Sequence, residues 1–461
     1  MYRKKRHIHF VGIGGIGMSG IAEVLLNLGH RVSGSDLKDS ETLRRLIVLG
    51  ARVSIGHAPE NVAEAEVVVV SSAVRPDNVE VQTARREFIP VIPRAEMLAE
   101  LMRLKYSVAV AGSHGKTTTT SLIGTIMAGA GMDPTLVIGG KLDIIGSNAR
   151  LGEGDLLVAE ADESDGSFLM LSPTWAVVTN IDLEHLDYYR DLDHLKETFL
   201  TFINRVPFYG AAFICLEDPN VQSLIPAIRK RHLTYGFSTQ ADIRAVDLEE
   251  RGWGSRYGLV FKGEHLGSID LSLPGRHNVL NSLAAVGVAL EIGVPFQETA
   301  QGLSRVGGIH RRMQLKGEAG GVTVIDDYGH HPTEIRATLS ALRSCYPDRR
   351  LVVVFQPHRY SRTQALFDSF SSAFNQADSL FLTDIYPAGE KPIEGVTGRS
   401  LAESVRLHGH HEIEFEADHD RLVSILMARL QPGDVLMTLG AGNIWQVGES
   451  VLEILRRGSR D

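Results

Sequence analysis

The sequence predicts an α/β protein of three consecutive domains. Two observations carry this. Short apolar runs alternate with amphipathic stretches throughout, the pattern of parallel sheets covered by helices. And a strand that runs into a glycine- or acid-bearing loop and then a helix begins three times, near residues 7 and 106 and after "GGIHRRMQ", around residue 313. The 461 residues suffice for two to four domains at roughly 100–200 residues each.

The first block reads as strand "HIHFVGIG", helix "GMSGIAEVLLNLG", strand "HRVSGSD", helix "SETLRRLIVLG" and strand "EVVVVSSAV", closed by helix "AEMLAELMRLK". The second opens with "YSVAVAGSHGKTTTTSLIG", continues through strands "DLLVAEADE", "WAVVTNID" and "GAAFICLED", and adds a period-two β excursion over "SRYGLVFKGEHLGSIDLSLPG" before helix "HNVLNSLAAVGVALEIG". The third alternates strand and loop through "GVTVIDDYGHH", "RLVVVFQPHRY", "SLFLTDIY" and "DVLMTLGAG". The expected domains are 1–104, 105–312 and 313–461: Rossmann-like, P-loop ATPase-like and Rossmann-like.

Bulk properties exclude several classes. A formal net charge of −9 disfavours nucleic acid. No stretch approaches the roughly 20 apolar residues of a membrane span. The basic "MYRKKRH" lacks the apolar core of a signal peptide and reads as a solvated tail. Two distant cysteines, Cys215 and Cys345, suggest a reducing compartment and no disulfide framework.

Gly12-Ile13-Gly14-Gly15-Ile16-Gly17 is a literal G-x-G-x-x-G, and Asp36 follows where a dinucleotide fold places a ribose-binding acid. By itself this loop admits a nicotinamide enzyme, which would leave the second block idle. In that block Gly112-Ser113-His114-Gly115-Lys116-Thr117-Thr118 follows a strand and opens a helix, so backbone N–H groups and the helix terminus surround a phosphate. Lys116 supplies charge to the β- and γ-phosphates and Thr117 a hydroxyl to Mg²⁺, although Val110 stands where the full P-loop pattern has glycine. A P-loop motor or regulator would explain this block but not the third.

"EADESD" ends a strand in acids, where an ATP site needs a metal carboxylate; Glu160, Asp162, Glu163 and Asp165 are all candidates. "TNIDLEHLD" sets His185 beside Asp182, Glu184 and Asp187. Asn278 and Asn281 share a helix face, as caps or as ligands. Arg311 and Arg312, "DDYGHHP" and "QPHRYSRT" supply loops beyond the strands of the third block, where a carboxylate-bearing second substrate would need a cation.

Taken together and in order, "GSHGKTTT", "EADESDGSF", "TNIDLEHLD", "GRHNVLNSLAA", "RRM" and "DDYGHHPTE" resemble the Mur ligases, ATP-dependent amide-forming enzymes of peptidoglycan synthesis. The likeness runs end to end. It implies ATP and Mg²⁺ as cofactors and small-molecule substrates in the cytoplasm. "HFVGIGGIGMSGIAEVL" and "FQPHRYSRT" look like the branch that adds L-alanine to UDP-N-acetylmuramate; a sister that adds a whole peptide is the alternative.

The resemblance implies that Lys116 contacts the ATP phosphates and that Thr117 with Glu160 holds one Mg²⁺. His185 would then serve a second metal ion, Asn278 and Asn281 the adenine, and Asp327 the ribose. Arg312 matches the interdomain arginine. Tyr328, His330 and Arg359 would neighbour L-alanine, with His330 a candidate base. Gly14, Gly15, Ile16 and Gly17 would then hold the diphosphate of UDP, and Asp36 would face the uridine end.

Overall fold

The computed structural model describes residues 4–71, 73–142, 147–185 and 188–458. It holds three sheets. The first has five parallel strands, β1 (His7–Val11), β2 (Arg31–Asp36), β3 (Arg52–Ile55), β4 (Val67–Val70) and β5 (Val91–Pro93), in the order β3-β2-β1-β4-β5. The chain reverses direction across the sheet at β1, so the glycine loop after β1 opens into the crevice where such sheets take ligands. Strands β3 and β5 are only four and three residues long, and neither contains a fully buried residue.

The second sheet has ten strands: β6 (Tyr106–Ala111), β7 (Thr135–Leu142), β8 (Ser147–Arg150), β9 (Leu156–Glu160), β10 (Trp175–Val178), β11 (Ala211–Cys215), β12 (His232–Gly236), β13 (Ile243–Arg251), β14 (Gly254–Phe261) and β15 (Glu264–Leu271). Here β6 lies between β9 and β10, parallel to both. The loops after these three neighbours carry the phosphate-loop, "EADESD" and "TNID" residues, so adjacency in the sheet gathers segments remote in the chain. The "SRYGLVF…" alternation folds as β14 and β15 at the sheet's end.

The third sheet runs β16-β17-β21-β18-β19-β20, from β16 (Gln314–Ala319), β17 (Val322–Asp327), β18 (Leu351–Phe355), β19 (Ser379–Leu382), β20 (Ile413–Phe415) and β21 (Val435–Leu439). Only the β16–β17 pair is antiparallel.

The chain forms two compact units: residues 1–247, 257–270 and 280–306, and residues 248–256, 271–279 and 307–461. In the first unit one continuous apolar core runs from Ile8 and Phe10 to Phe199 and Phe202. In the second, both faces of the third sheet are covered, by clusters around Phe355 and Phe374 on one side and Val352 and Leu436 on the other. Burial of large side chains at roughly 1.5–3 kcal/mol each holds these layers and makes the loops above them precise. No helix among the described residues is long and apolar enough to cross a membrane.

Candidate active site

The glycine loop of the first sheet is held from beneath by the end of β2. The Ser35 carbonyl accepts the N–H groups of Gly12 (2.8 Å) and Ile13 (3.0 Å). Gly12 stands at φ +80°, a conformation that side chains resist. Gly15 caps the helix Ile16–Asn27; the Ile16 side chain lies outside the described residues. Asp36, expected to face a uridine, has one oxygen engaged by the Gly14 N–H at 2.9 Å and the other by the Leu37 N–H at 2.7 Å. Its position shapes the loop directly.

Beneath the loop lies Glu80, fully buried. It accepts hydrogen bonds from Ser35 Oγ (2.5 Å), Asn61 Nδ2 (2.5 Å) and the Ala58 N–H (3.2 Å), with His9 Nε2 at 3.4 Å. Burial opposes its charge, but these donors outweigh burial and hold the carboxyl at about 2.

The phosphate loop of the second sheet is braced in the same way, by the end of β10. Asn180 receives Ser113 N–H on its carbonyl (3.0 Å) and His114 N–H on its side chain (2.8 Å). Thr179 Oγ1 donates to the His114 carbonyl at 2.6 Å, and the Asp182 N–H donates to Ser113 Oγ at 2.8 Å. Gly112 (φ +137°) and Gly115 (φ +81°) bend the backbone around the concavity. Gly115 caps the helix Lys116–Gly129, and Thr117 and Thr118 lie buried in its first turn.

Lys116 folds back over this loop. Its ammonium donates to the carbonyls of Gly112 (2.5 Å) and Ser113 (3.2 Å) and to Glu163 Oε1 (2.8 Å). Burial works against its charge, but the Glu163 carboxylate prevails and raises its affinity for the proton. Asn281 packs against Gly115 and accepts from Thr119 Oγ1 at 3.2 Å. Asn278, in the second unit, donates to the Pro274 carbonyl at 2.7 Å.

Glu163, Glu184 and His185 converge, with one ligand atom of each lying within 4.8 Å of the others. His185 Nε2 stands 3.6 Å from Glu163 and 3.9 Å from Glu184. Burial disfavours the imidazolium, yet the two carboxylates win and raise its pKa. His185 adopts φ +56°, a costly backbone geometry of the kind stored at functional sites. Tyr189 Oη donates to the Glu163 carbonyl at 2.5 Å. Glu163 Oε2 is buried without a hydrogen-bond partner among the described residues. An orphaned carboxylate oxygen beside a second carboxylate and an imidazole fits a cation. Glu160, the ligand implied by resemblance, ends β9 and is not one of the gathered three; Asp187 lies outside the described residues.

In the second unit, the loop after β17 is built around Asp327. This carboxylate is buried and accepts the N–H groups of Met313 and Gly329, each at 2.7 Å. Burial pushes it up to about 6 despite Arg312 and those donors. Its contacts hold the backbone of the loop, where the sequence suggested a ribose ligand. Arg311 is likewise a pin: it pairs with Asp326 at 3.0 Å and donates to the carbonyls of Gly440 (2.5 Å) and Gly442 (3.2 Å). The guanidiniums of Arg311 and Arg312 lie 5.0 and 5.2 Å from the Tyr328 ring centre.

His330 Nδ1 is 3.1 Å from the Tyr328 carbonyl. A carbonyl only accepts, so this contact puts a proton on Nδ1. The His330 ring meets Tyr328 and His358. Burial and neighbouring cations lower His358 to about 3. Arg359 is expected from the sequence beside the L-alanine carboxylate. It is paired with Glu390 at 2.8 Å, at φ +69°. Arg362 bonds the His358 carbonyl and ring.

Sequence reasoning missed Glu390, Glu80 and Arg94 outright. None belongs to a recognisable motif, and each acts through a partner distant in the chain. Glu163 stood among the candidates, but only the fold separates it from Glu160.

Three stretches of the chain match known family descriptions: "Mur ligase family, catalytic domain" over residues 7–106, "Mur ligase middle domain" over 110–289, and "Mur ligase, glutamate ligase domain" over 311–442. The chain is 60% identical over 456 residues to the UDP-N-acetylmuramate–L-alanine ligase of Geotalea uraniireducens, covering 99% of each. Against the ligase of the same name from Geobacter sulfurreducens it is 59% identical over 453 residues, 98% of each. The crystal structure of UDP-N-acetylmuramate–alanine ligase from Thermotoga maritima superposes with a TM-score of 0.83 at 28% identity, covering 99% of this chain and all of that one.

Proposed function

We infer that this chain, which belongs to the Mur ligase family, is an ATP-dependent ligase that joins L-alanine to the carboxylate of UDP-N-acetylmuramate in peptidoglycan precursor synthesis. The observation that carries the reading is end-to-end likeness to ligases of that specificity combined with two separate anion-binding loops, one of which carries Lys116 and an acidic cluster. We assign the sugar nucleotide to residues 1–104, ATP to 105–312 and the amino acid to 313–461, and place the reaction in the cytoplasm.

A carboxylate is a poor acyl donor because oxide would have to leave. Its oxygen therefore attacks the γ-phosphorus of ATP, ADP departs, and an acyl phosphate forms. Lys116 and the N–H groups of Gly115 and its neighbours stabilise charge on the transferring group. Glu163, Glu184 and His185, with Thr117 on the phosphate side, are the residues that would hold Mg²⁺; when bound, it supplies charge neutralisation at the phosphates. The α-amine of L-alanine then attacks the acyl carbon and inorganic phosphate leaves. The amine must lose a proton, and His330 Nε2 is the base we assign. Arg359, once exchanged from Glu390 to the alanine carboxylate, would orient the amine. Asn281 flanks the nucleotide, and Asp327 and Arg312 shape the loop that bears Tyr328 and His330.

The test is phosphate release with ATP and UDP-N-acetylmuramate against a panel of amino acids and one tripeptide. L-Alanine should give the highest kcat/KM. Preference for the tripeptide, or turnover independent of UDP-N-acetylmuramate, would overturn the assignment.

A further inference from the structure

The third glycine of the G-x-G-x-x-G loop makes room for a cation. A methyl group on Gly17 would stand 3.1 Å from Arg94 Nη1 and 3.4 Å from its Cζ, so the guanidinium packs against the first turn of the helix Ile16–Asn27. Arg94 is itself the first residue of the helix Arg94–Met102. Its other nitrogen, Nη2, pairs with Asp162 Oδ2 at 2.9 Å. One side chain thus touches the glycine loop's helix and the acidic segment after β9, both within the first compact unit.

This placement sets a cation beside the amino end of a helix. The amino end of a helix carries partial positive charge, so a guanidinium beside it is repelled. Asp162 offsets that only partly, because its side chain is 45% exposed and the pair is screened by water. Arg94 is only 21% exposed. A cation and a helix terminus held together call for an anion between them, and a diphosphate with its several oxygens satisfies both.

We propose that Arg94 is a further ligand of the sugar nucleotide's diphosphate, held by Asp162 until that substrate arrives. The inference rests on the reading of the glycine loop as the diphosphate site. Binding exchanges a half-exposed carboxylate for phosphate oxygens already facing the loop's N–H groups. The exchange also releases Asp162 beside Lys116, whose charge it partly balances. No covalent step is involved.

Calorimetric titration of the full chain with UDP, and separately with ATP, tests this on three variants. Arg94→Ala should weaken UDP binding tenfold or more while ATP affinity stays within twofold. Arg94→Lys keeps the charge without the fork and should fall between Arg94→Ala and the wild type. Asp162→Asn removes the competing carboxylate and should bind UDP severalfold more tightly than the wild type. A structural role alone would not produce that gain. Wild-type UDP affinity in Arg94→Ala, or weaker UDP binding in Asp162→Asn, overturns the assignment of Arg94 and leaves the loop's assignment standing. Failure of the wild-type chain to bind UDP at all overturns the reading of the loop itself, and this inference with it.

Discussion

The two glycine loops of the first unit are built alike and equipped differently. Each follows an inner strand of its sheet, opens a helix, and is braced by a neighbouring strand end: "SGSD" of β2 in one case, "TNID" after β10 in the other. Around residues 12–17 the adjacent acid, Asp36, takes up a backbone N–H. Around residues 112–117 the loop carries a lysine of its own, and that lysine faces a carboxylate with an unpartnered oxygen. On the proposed function, the same backbone concavity serves to hold one phosphate group in the first loop and to transfer another in the second. The side chains facing the nest determine the chemistry; the nest determines only that an anion binds.

The sharpest test of this contrast is the lysine. Lys116→Ala should lower turnover by a hundredfold or more, roughly 3 kcal/mol in the transition state, while the circular dichroism spectrum and UDP affinity stay as in the wild type. Loss of UDP affinity in step with turnover would show that the two loops are not separable.

Glu80 tests the brace under the first loop. Its pKa falls from the ordinary 4.5 to about 2 on folding, so the native state binds the proton less readily than the unfolded chain. Its stabilisation is therefore complete above the unfolded value and is lost as pH falls from about 4.5 towards 2, an effect on the order of 3 kcal/mol. Urea unfolding of the wild type across that window should show this loss, and Glu80→Gln should lack it. Equal acid sensitivity in both proteins would remove Glu80 as its source.

A smaller difference separates the leading glycines. Both have positive φ. A methyl on Gly112 would lie 2.0 Å from Thr179 Oγ1, whereas one on Gly12 meets nothing nearer than 3.7 Å. Gly12→Ala should cost about 1 kcal/mol in backbone strain, and Gly112→Ala roughly 2 kcal/mol more, as read from denaturant midpoints. Equal costs would mean that the brace at Thr179 yields freely.

Much of the site is legible in the chain because some requirements are local. A phosphate nest needs glycines at bends, a lysine at the first helical position and a strand before it, and "GSHGKTT" states all three within a few residues. "EADESD" and "TNIDLEH" are legible as chemistry because they end strands in the same block as the phosphate loop. The choice among those acids is not local. Glu160 belongs to β9 itself while Glu163 lies beyond it, and it is Glu163 that meets Lys116 and His185. Arg359 reads as a cation for an incoming carboxylate, and only the fold shows that Glu390 is paired with it. Asp327 reads as a ligand in the sequence, and the fold adds that each of its oxygens accepts a backbone N–H.

By itself, then, the sequence determined the three α/β sheets, the two anion loops, the family and the reaction class. These follow from hydrophobic period and from motifs whose physics is complete within a dozen residues. Only the tertiary structure decided which carboxylate faces Lys116, that Asp36 and Asp327 hold loops, that Arg359 is paired, and that Arg94 lies on Gly17. The reason is that a charged side chain's role depends on what lies within about 4 Å of it, and adjacency in a sheet brings that partner from any distance along the chain.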